Sequence, residues 1–501
     1  MKKLRKILRS NAIFDGGNLP FKGYVAFKGE TIEEVQSGWD YQHLVDEETT
    51  VLKYDNSFVM PGLHDNHVFF SGYLSMHAGV NLEKTSSENE ALQMLQNELD
   101  KKHGQPVYAY GWATQDWGTL PSQETLDRLN YPGPITAIAK DRSYCWMNQK
   151  AKDRYGFQET ETSAESRFRL IKEMLANQAL VQAVYHEFEE LLLSRGVVSI
   201  KEIVFDTADF LNNISYRKLM TTFYLQSVEE PISTALVQSY QTEHFPEKVR
   251  FGGVKMMVDG VVADETGDIT GSYASGKKGP TIDYPALANE VKKWNERSVP
   301  CCLTTEGDRA GVEAAKILNQ FGKRLPKGVY NSISDLEMIT ANMTKEMSEG
   351  NIAAEIYPQI LGLNPSYQEA YMPEVLLGED EAFFNYRLLH EADILLTSGT
   401  DLPLFITNLP ESILRACFRR FPTGAETWKK ENGVSALEIL KSFTKNGFVA
   451  NGLLDYGVLQ AGRSATFAIF DQDLTTEDFN EVAAAETILT CIDGEIVYKK
   501  D

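Results

Sequence analysis

Between residues 197 and 398 short apolar segments recur, each followed by a stretch with helical patterning. This alternation constrains the fold more than any other feature of the chain. The segments are Val197-Val198-Ser199-Ile200, Val254-Lys255-Met256-Met257-Val258, Cys301-Cys302-Leu303-Thr304, Ser332-Ile333-Ser334-Asp335-Leu336, Asn351-Ile352-Ala353-Ala354 and Ile394-Leu395-Leu396-Thr397-Ser398. Alternating strands and helices predict βα units, because parallel strands need a crossover long enough to hold a helix. The number of segments, in a middle region running from residue 59 to 454, favours a (β/α)8 TIM-like barrel over a doubly wound sheet.

Both ends of the chain read differently. Ala12-Ile13-Phe14 runs into Asp15-Gly16-Gly17, and Tyr24-Val25-Ala26-Phe27 precedes Lys28-Gly29-Glu30. Near the C-terminus, Ala465–Phe470 and Thr487–Tyr498 have the same short-strand character. A discontinuous β-sandwich is expected from residues 1–58 and 455–501, with the barrel spanning 59–454. Residues 70–190 read as a helical, aromatic insertion carrying Tyr110, Trp112, Trp117, Tyr144 and Trp146. Within it, 162–195 reads as one long amphipathic helix stopped at Arg195-Gly196.

Composition excludes several classes of function. With 43% hydrophobic residues spread along 501, the chain has the material for a sizeable core. No apolar run approaches a membrane span. A net charge of −22 argues against nucleic acid and against an anionic membrane surface. The acidic run Glu379-Asp380-Glu381 reads as a solvated face. Five cysteines without CxxC spacing read as buried thiols in a reducing compartment. The adjacent Cys301 and Cys302 would point to opposite faces of a strand. The basic start Met1–Lys6 is not followed by a secretory apolar stretch, so a cytoplasmic location is expected.

In a βα barrel chemistry gathers at the C-terminal ends of the strands. Those ends offer His64, Asp65 and His67; Lys255 and Asp259; Thr304, Thr305, Glu306 and Asp308; Asp335 and Glu337; Thr400 and Asp401. Lys255 stands out because apolar residues flank it, and a buried lysine needs a carboxylate partner or a modification. Asp401 follows a buried strand and enters a Pro-terminated turn, a natural position for a general base. Asp259-Gly260 and Gly307-Asp308 fit βα turns, and His77 and His186 fit surface or core positions.

Pro61-Gly62-Leu63 with Asp65-Asn66-His67 resembles the opening signature of the amidohydrolase superfamily, and more narrowly its branch of N-substituted formamide deformylases and YtcJ-like proteins. Gly253–Met256 with Asp259-Gly260, Gly307–Ala310, Ser332–Glu337, Ser398–Pro403 and Gly462–Thr466 resemble later motifs of that branch, in the same order. The resemblance implies a barrel beside a β-sandwich, with one or two divalent metals held by histidines, a carboxylated lysine and an aspartate. Metal-activated water then attacks a C–N carbonyl while the aspartate takes the proton. By position, His67, Lys255 and Asp401 match the first histidine, the lysine and the aspartate. Phe69, Thr304 and Asp335 stand where three further metal histidines would be, and Ser143 replaces another histidine before Trp146-Met147-Asn148.

The residues leave three readings of the site open. One is a zinc centre on His67, Asp401 and a carboxylated Lys255, with His64 as a substitute ligand. The second is an oxygen-rich centre for Mg²⁺ or Mn²⁺ using His67, Lys255, Asp335, Asp401 and Glu306. The third has no metal, with Lys255 as an ammonium paired to Asp401 or Asp335. Asp401, His67 and Lys255 are the expected catalytic groups, and Trp112, Trp146, Asn148 and Phe69 the expected substrate-binding ones. The expected function is hydrolysis of a non-peptide C–N bond in a small amide-like substrate. The alternative is a catalytically silent or repurposed relative that binds a small ligand. A homodimer is the expected assembly.

Overall fold

The structure is a computed structural model that describes residues 4–157, 164–228, 231–362, 382–420 and 427–500. Eight parallel strands form the barrel: β1 (Leu63–Val68), β2 (Val197–Phe205), β3 (Met220–Gln226), β4 (Val249–Met257), β5 (Cys301–Thr305), β6 (Ser332–Asp335), β7 (Ala353–Ile356) and β8 (Leu396–Ser398). Each pairs with its neighbour in chain order, and a parallel bridge between Val68 and Leu402 brings the last strand back to the first. Strands β1, β3, β5, β7 and β8 are buried at every position. Strands covered on both faces need near-continuous apolar or hydrogen-bonded residues, and these sequences supply them.

Crossover helices follow the expected pattern, with Tyr284–Asn295, Asp308–Gly322, Ala341–Gly350 and Tyr386–Glu391 leading in turn into β5, β6, β7 and β8. Local chemistry starts them: Asp283 accepts from Ala286 N with Pro285 in the first turn, and Thr340 accepts from Met343 N. Two strands run further than their apolar cores suggest. β2 continues past Ile200 to Phe205, and β7 extends from Ala353 to Ile356, so Lys201 and Glu355 both lie inside strands. Cys301 and Cys302 do face opposite ways: Cys301 Sγ meets Asn295 Nδ2 and Cys302 Sγ meets Glu355 Oε1, each at 3.6 Å.

Both chain ends contribute to one eight-stranded sheet. Its order is Glu495–Lys499, Thr487–Ile492, Phe467–Phe470, Phe58–Pro61, Arg5–Ile13, Phe21–Lys28 and Thr31–Ser37, with Thr50–Lys53 also pairing on Arg5–Ile13. Leu8, Val25, Phe27 and Ile32 from one half share a core with Val59, Phe467, Ile469 and Leu489 from the other. Pro61 ends a strand of this sheet and Leu63 begins β1, leaving Gly62 alone as the junction. A Cβ at Gly62 would stand 2.7 Å from both Val198 methyls, which explains the glycine.

The chain divides into two compact units, one of residues 1–68, 189–206 and 217–501, the other of 69–188 and 207–216. The second unit carries the insertion, which is not wholly helical. Val80–Asn81, Val107–Trp112, Ile135–Ala139 and Cys145–Met147 form a four-stranded sheet beside helices such as Glu88–Lys102. The aromatic and aliphatic residues that read as helical-domain filling suit a pleated, buried surface, and Ile135–Ala139 is buried throughout. The expected long helix is two, Ala164–Ala176 and Gln178–Leu193, parted at Asn177, whose side chain accepts from Leu180 N. The run Glu379-Asp380-Glu381 lies outside the described residues. Among the described residues no helix is long and apolar enough to cross a membrane.

Candidate active site

β1 supplies two histidines to different surroundings. His64 Nδ1 lies 2.9 Å from Ser199 Oγ, while Nε2 is 3.1 Å from Asn66 Oδ1 and 3.0 Å from Asn451 Nδ2. Its ring packs on Phe448. Burial drives its pKa down to about 3, so it stays neutral. Asp65 accepts from the backbone N–H of His67 and of Thr400, each at 3.1 Å, and from the hydroxyls of Thr400 (2.6 Å) and Thr407 (2.5 Å). It therefore latches β1 to the segment after β8. Burial raises its carboxyl to about 6 despite these donors.

His67 is the hub of the site. Its Nε2 is 2.9 Å from Lys255 Nζ on β4 and 3.7 Å from Asp401 Oδ1 beyond β8. Its Nδ1 faces Glu355 Oε2 on β7 at 3.8 Å, and its ring tilts against Tyr357. An ammonium has no lone pair, so Lys255 donates and Nε2 accepts, which leaves the proton on Nδ1 toward Glu355. Burial first, then the charge on Lys255, lower the His67 pKa to about 4. Lys255 Nζ also stands 3.9 Å from Asp335 Oδ2 at the end of β6.

Beneath this hub lies a second ion pair. Lys201 Nζ on β2 donates to Glu355 Oε1, with both side chains 2% exposed. Ser332 Oγ donates to the same oxygen at 2.5 Å, and Nζ sits 4.1 Å above the ring of Tyr224. Burial opposes the Lys201 ammonium, but Cys302, Glu355 and Tyr224 around it outweigh that and hold its pKa up. Burial likewise opposes the Glu355 carboxylate, and Lys201 and His67 pull it well below the usual carboxylate range.

The site is thus layered. Lys201 and Glu355 form the floor, His67 and Lys255 (1% and 4% exposed) the middle, and Asp335 and Asp401 (22% and 29%) the rim. Asp335 and Asp401 both adopt positive φ, 73° and 53°, at their strand ends. Such conformations gather where a fold aims a side chain at a ligand. Thr304 binds Ser334 Oγ at 3.0 Å. Glu306 lies against Glu337, and burial with that neighbouring charge raises its pKa well above normal.

The other expected binding residues belong to the second unit. Phe69 precedes the helix Phe70–His77. Trp112 donates to Ala137 O at 2.7 Å and Trp146 to Ser122 O at 2.8 Å, both within that unit's apolar core. Asn148 caps the helix Gln149–Tyr155 and donates to Gly133 O at 2.9 Å. The hydrogen bonds of Trp112, Trp146 and Asn148 lie within that unit. Lys201 and Glu355 are functional candidates that the sequence reading missed. Each immediately follows an apolar strand core, and a charged residue in that position was the available signal.

With Lys201 and Lys255 as unmodified ammonium groups, a divalent metal does not fit this arrangement. Lysine amines stand on the donors it would need, Lys255 on His67 Nε2 and Lys201 on Glu355 Oε1. A divalent ion about 4 Å from an ammonium meets a repulsion of roughly 8 kcal/mol at an effective dielectric of about 20. Among the described residues no three His, Cys, Asp or Glu side chains are grouped to hold a metal.

Solved structures of similar fold extend over nearly the whole chain. An uncharacterized metal-dependent hydrolase from Pyrococcus furiosus matches with a TM-score of 0.75 at 16% identity, covering 94% of this chain and 100% of that one. Another from Pyrococcus horikoshii OT3 matches with 0.75 at 16%, covering 95% and 99%. Ochratoxinase of A. niger matches with 0.54 at 13%, covering 100% and 97%. At these identities the likeness speaks for the fold alone. No curated protein matches the sequence. The profile of the amidohydrolase family Amidohydro_3 covers residues 55–498, which take in the barrel, its strand-end cluster and the returning β strands, and the chain belongs to that family.

Proposed function

We propose that the protein hydrolyses a non-peptide C–N bond of a small amide-like substrate at the barrel mouth, with a lysine–histidine–carboxylate cluster in place of a resident metal. The observation that carries this reading is Lys255 Nζ at 2.9 Å from His67 Nε2, with Asp401 Oδ1 at 3.7 Å from the same nitrogen. In this reading Asp401 takes a proton from water as its oxygen attacks the carbonyl carbon. Lys255 stabilises the developing oxyanion with an N–H, and Asp401 returns the proton to the departing amine as the C–N bond breaks. His67 orients Lys255, and Asp335 lies on its other side. The net charge of −22 favours a small ligand over nucleic acid or an anionic membrane. The order of the motifs favours the YtcJ-like branch of the family, and the proposed setting is a cytoplasmic homodimer.

The test is a screen of N-formyl and N-acyl amines for amine release, run after chelator treatment and again with Zn²⁺, Mn²⁺ or Mg²⁺ added. Turnover indifferent to the chelator and lowered at least about 100-fold by Asp401→Asn is the expected result. Turnover that appears only with one metal ion bound per chain would replace this reading with an atypical metal hydrolase. Saturable binding of amides without turnover under any condition would make the protein a repurposed relative that binds a small ligand.

A further inference from the structure

The barrel centre contains a pair that the proposed chemistry does not use. Lys201 and Glu355 sit face to face across the barrel, on β2 and β7, each 2% exposed. Lysine and glutamate are almost never so buried unless paired, and a buried ion pair adds little net stability of its own. Its position points to another role. The free face of Glu355 looks at His67 Nδ1 at 3.8 Å, while Lys255, 3.9 Å from Asp335, meets Nε2 of the same ring at 2.9 Å. One imidazole is therefore flanked on both sides by a lysine–carboxylate pair. Ser332 Oγ, Cys302 Sγ and the Tyr224 ring complete the surroundings of Lys201 and Glu355.

We propose that Lys201 and Lys255 are resident cations of this barrel, neutralising the carboxylates around His67 from within, so that the centre admits a divalent metal only when Lys255 is removed. This deepens the metal-independent reading above and rests on it. The physical ground is charge. Glu355 and Asp401 face His67, Asp335 faces Lys255, and this group of carboxylates requires positive charge nearby. Lys201 meets that need at the floor and Lys255 in the middle layer. Each amine stands on an oxygen or nitrogen that could otherwise bind a metal. Without Lys255, His67 Nε2 would regain its lone pair beside Asp335 and Asp401, a donor set suited to Mn²⁺ or Zn²⁺.

The experiment uses the full chain, dialysed against Zn²⁺ or Mn²⁺ and desalted, with metal content measured by mass spectrometry and unfolding followed by scanning fluorimetry. Wild type should retain substoichiometric metal and keep its melting temperature with metal or chelator. Lys255→Ala should retain close to one ion per chain and melt higher with metal than without. Lys201→Met should melt well below wild type, and Lys201→Met with Glu355→Gln should recover most of the loss, because the second change removes the stranded carboxylate. The double variant keeps the test decisive if the single one does not fold. One ion per chain in wild type, lost in His67→Asn, would overturn the proposal. So would a Lys255→Ala protein that takes up no metal, or a double variant no more stable than Lys201→Met. Failure of amide turnover would remove the hydrolase reading and leave these metal and melting results standing.

Discussion

Neighbouring residues on β1 respond to pH in opposite senses. His64 and His67 have native pKa values lowered by burial to about 3 and about 4. Their stabilisation is complete above the ordinary histidine value and is lost as pH falls from about 6.5 through the native values. Asp65 and Asp259 are both raised by burial to about 6. Their contribution is complete below the ordinary aspartate value near 4 and is lost as pH rises through about 6. Between about pH 6 and 4 these effects offset one another, each up to about 1.4 kcal/mol per pH unit. Asp65→Asn removes one compensating group. Relative to wild type, that variant should therefore lose stability steadily as pH falls from 6 to 4, as urea titrations at several pH values would reveal. A constant difference across that range would contradict a raised Asp65 carboxyl.

At the scale of elements, the site depends on how closely β8 approaches β1. Gly399 sits where a Cβ would stand 2.7 Å from both the Cβ and the backbone nitrogen of His67. No side chain fits between the two strands at that point. Gly399→Ala should force the start of the Asp401 turn away from His67, at a stability cost of about 1–3 kcal/mol. Activity should fall further than stability explains, since Asp401 follows two residues later. A melting curve and a turnover assay on the same preparation would check this, and unchanged values of both would refute it. Elements also explain why parts of the site are legible in the sequence. His67, Lys255, Asp335 and Asp401 stand at strand ends that apolar runs and turn residues mark plainly. Lys201 and Glu355 escaped notice because each apolar run stops one residue early, while the strand continues under inter-strand pairing. The insertion misled for a related reason: its strands are short, and their aromatic residues suit a helix core as well as a sheet.

The first unit is tied together by the chain's two ends. Phe467–Phe470 pairs with Phe58–Pro61 immediately before β1 begins, and Gly62 N donates to Thr466 O. Thr490 Oγ1 donates to Leu193 O at 2.7 Å, close to the entry of β2. Truncation after Ala465 would strip the Phe58–Pro61 edge of its partner and expose Val59 with the surrounding core. Such a chain should be aggregated or cleaved by protease within the first 70 residues, whereas the full chain resists. A truncated chain that remains free of aggregates and protease-resistant would show that the barrel stands without the C-terminal strands.

Sequence alone determined the βα alternation of the barrel, the β character of the chain's two ends and the location of the strand-end residues. These follow from local patterning, which periodicity and turn chemistry record directly. Only the tertiary structure brought the residues around His67 together. Which atoms meet across a barrel depends on residues hundreds of positions apart, as with Lys201 and Glu355 or His67 and Asp401. Their charges acquire meaning from burial and distance, and neither is written in the local pattern. Lys255 reads from sequence as a modified ligand or as an ammonium, and the fold adds its neighbours, His67 and Asp335. Lys255 Nζ lies 2.9 Å from His67 Nε2 and 3.9 Å from Asp335 Oδ2, contacts that join β1, β4 and β6 and that no local stretch of sequence contains.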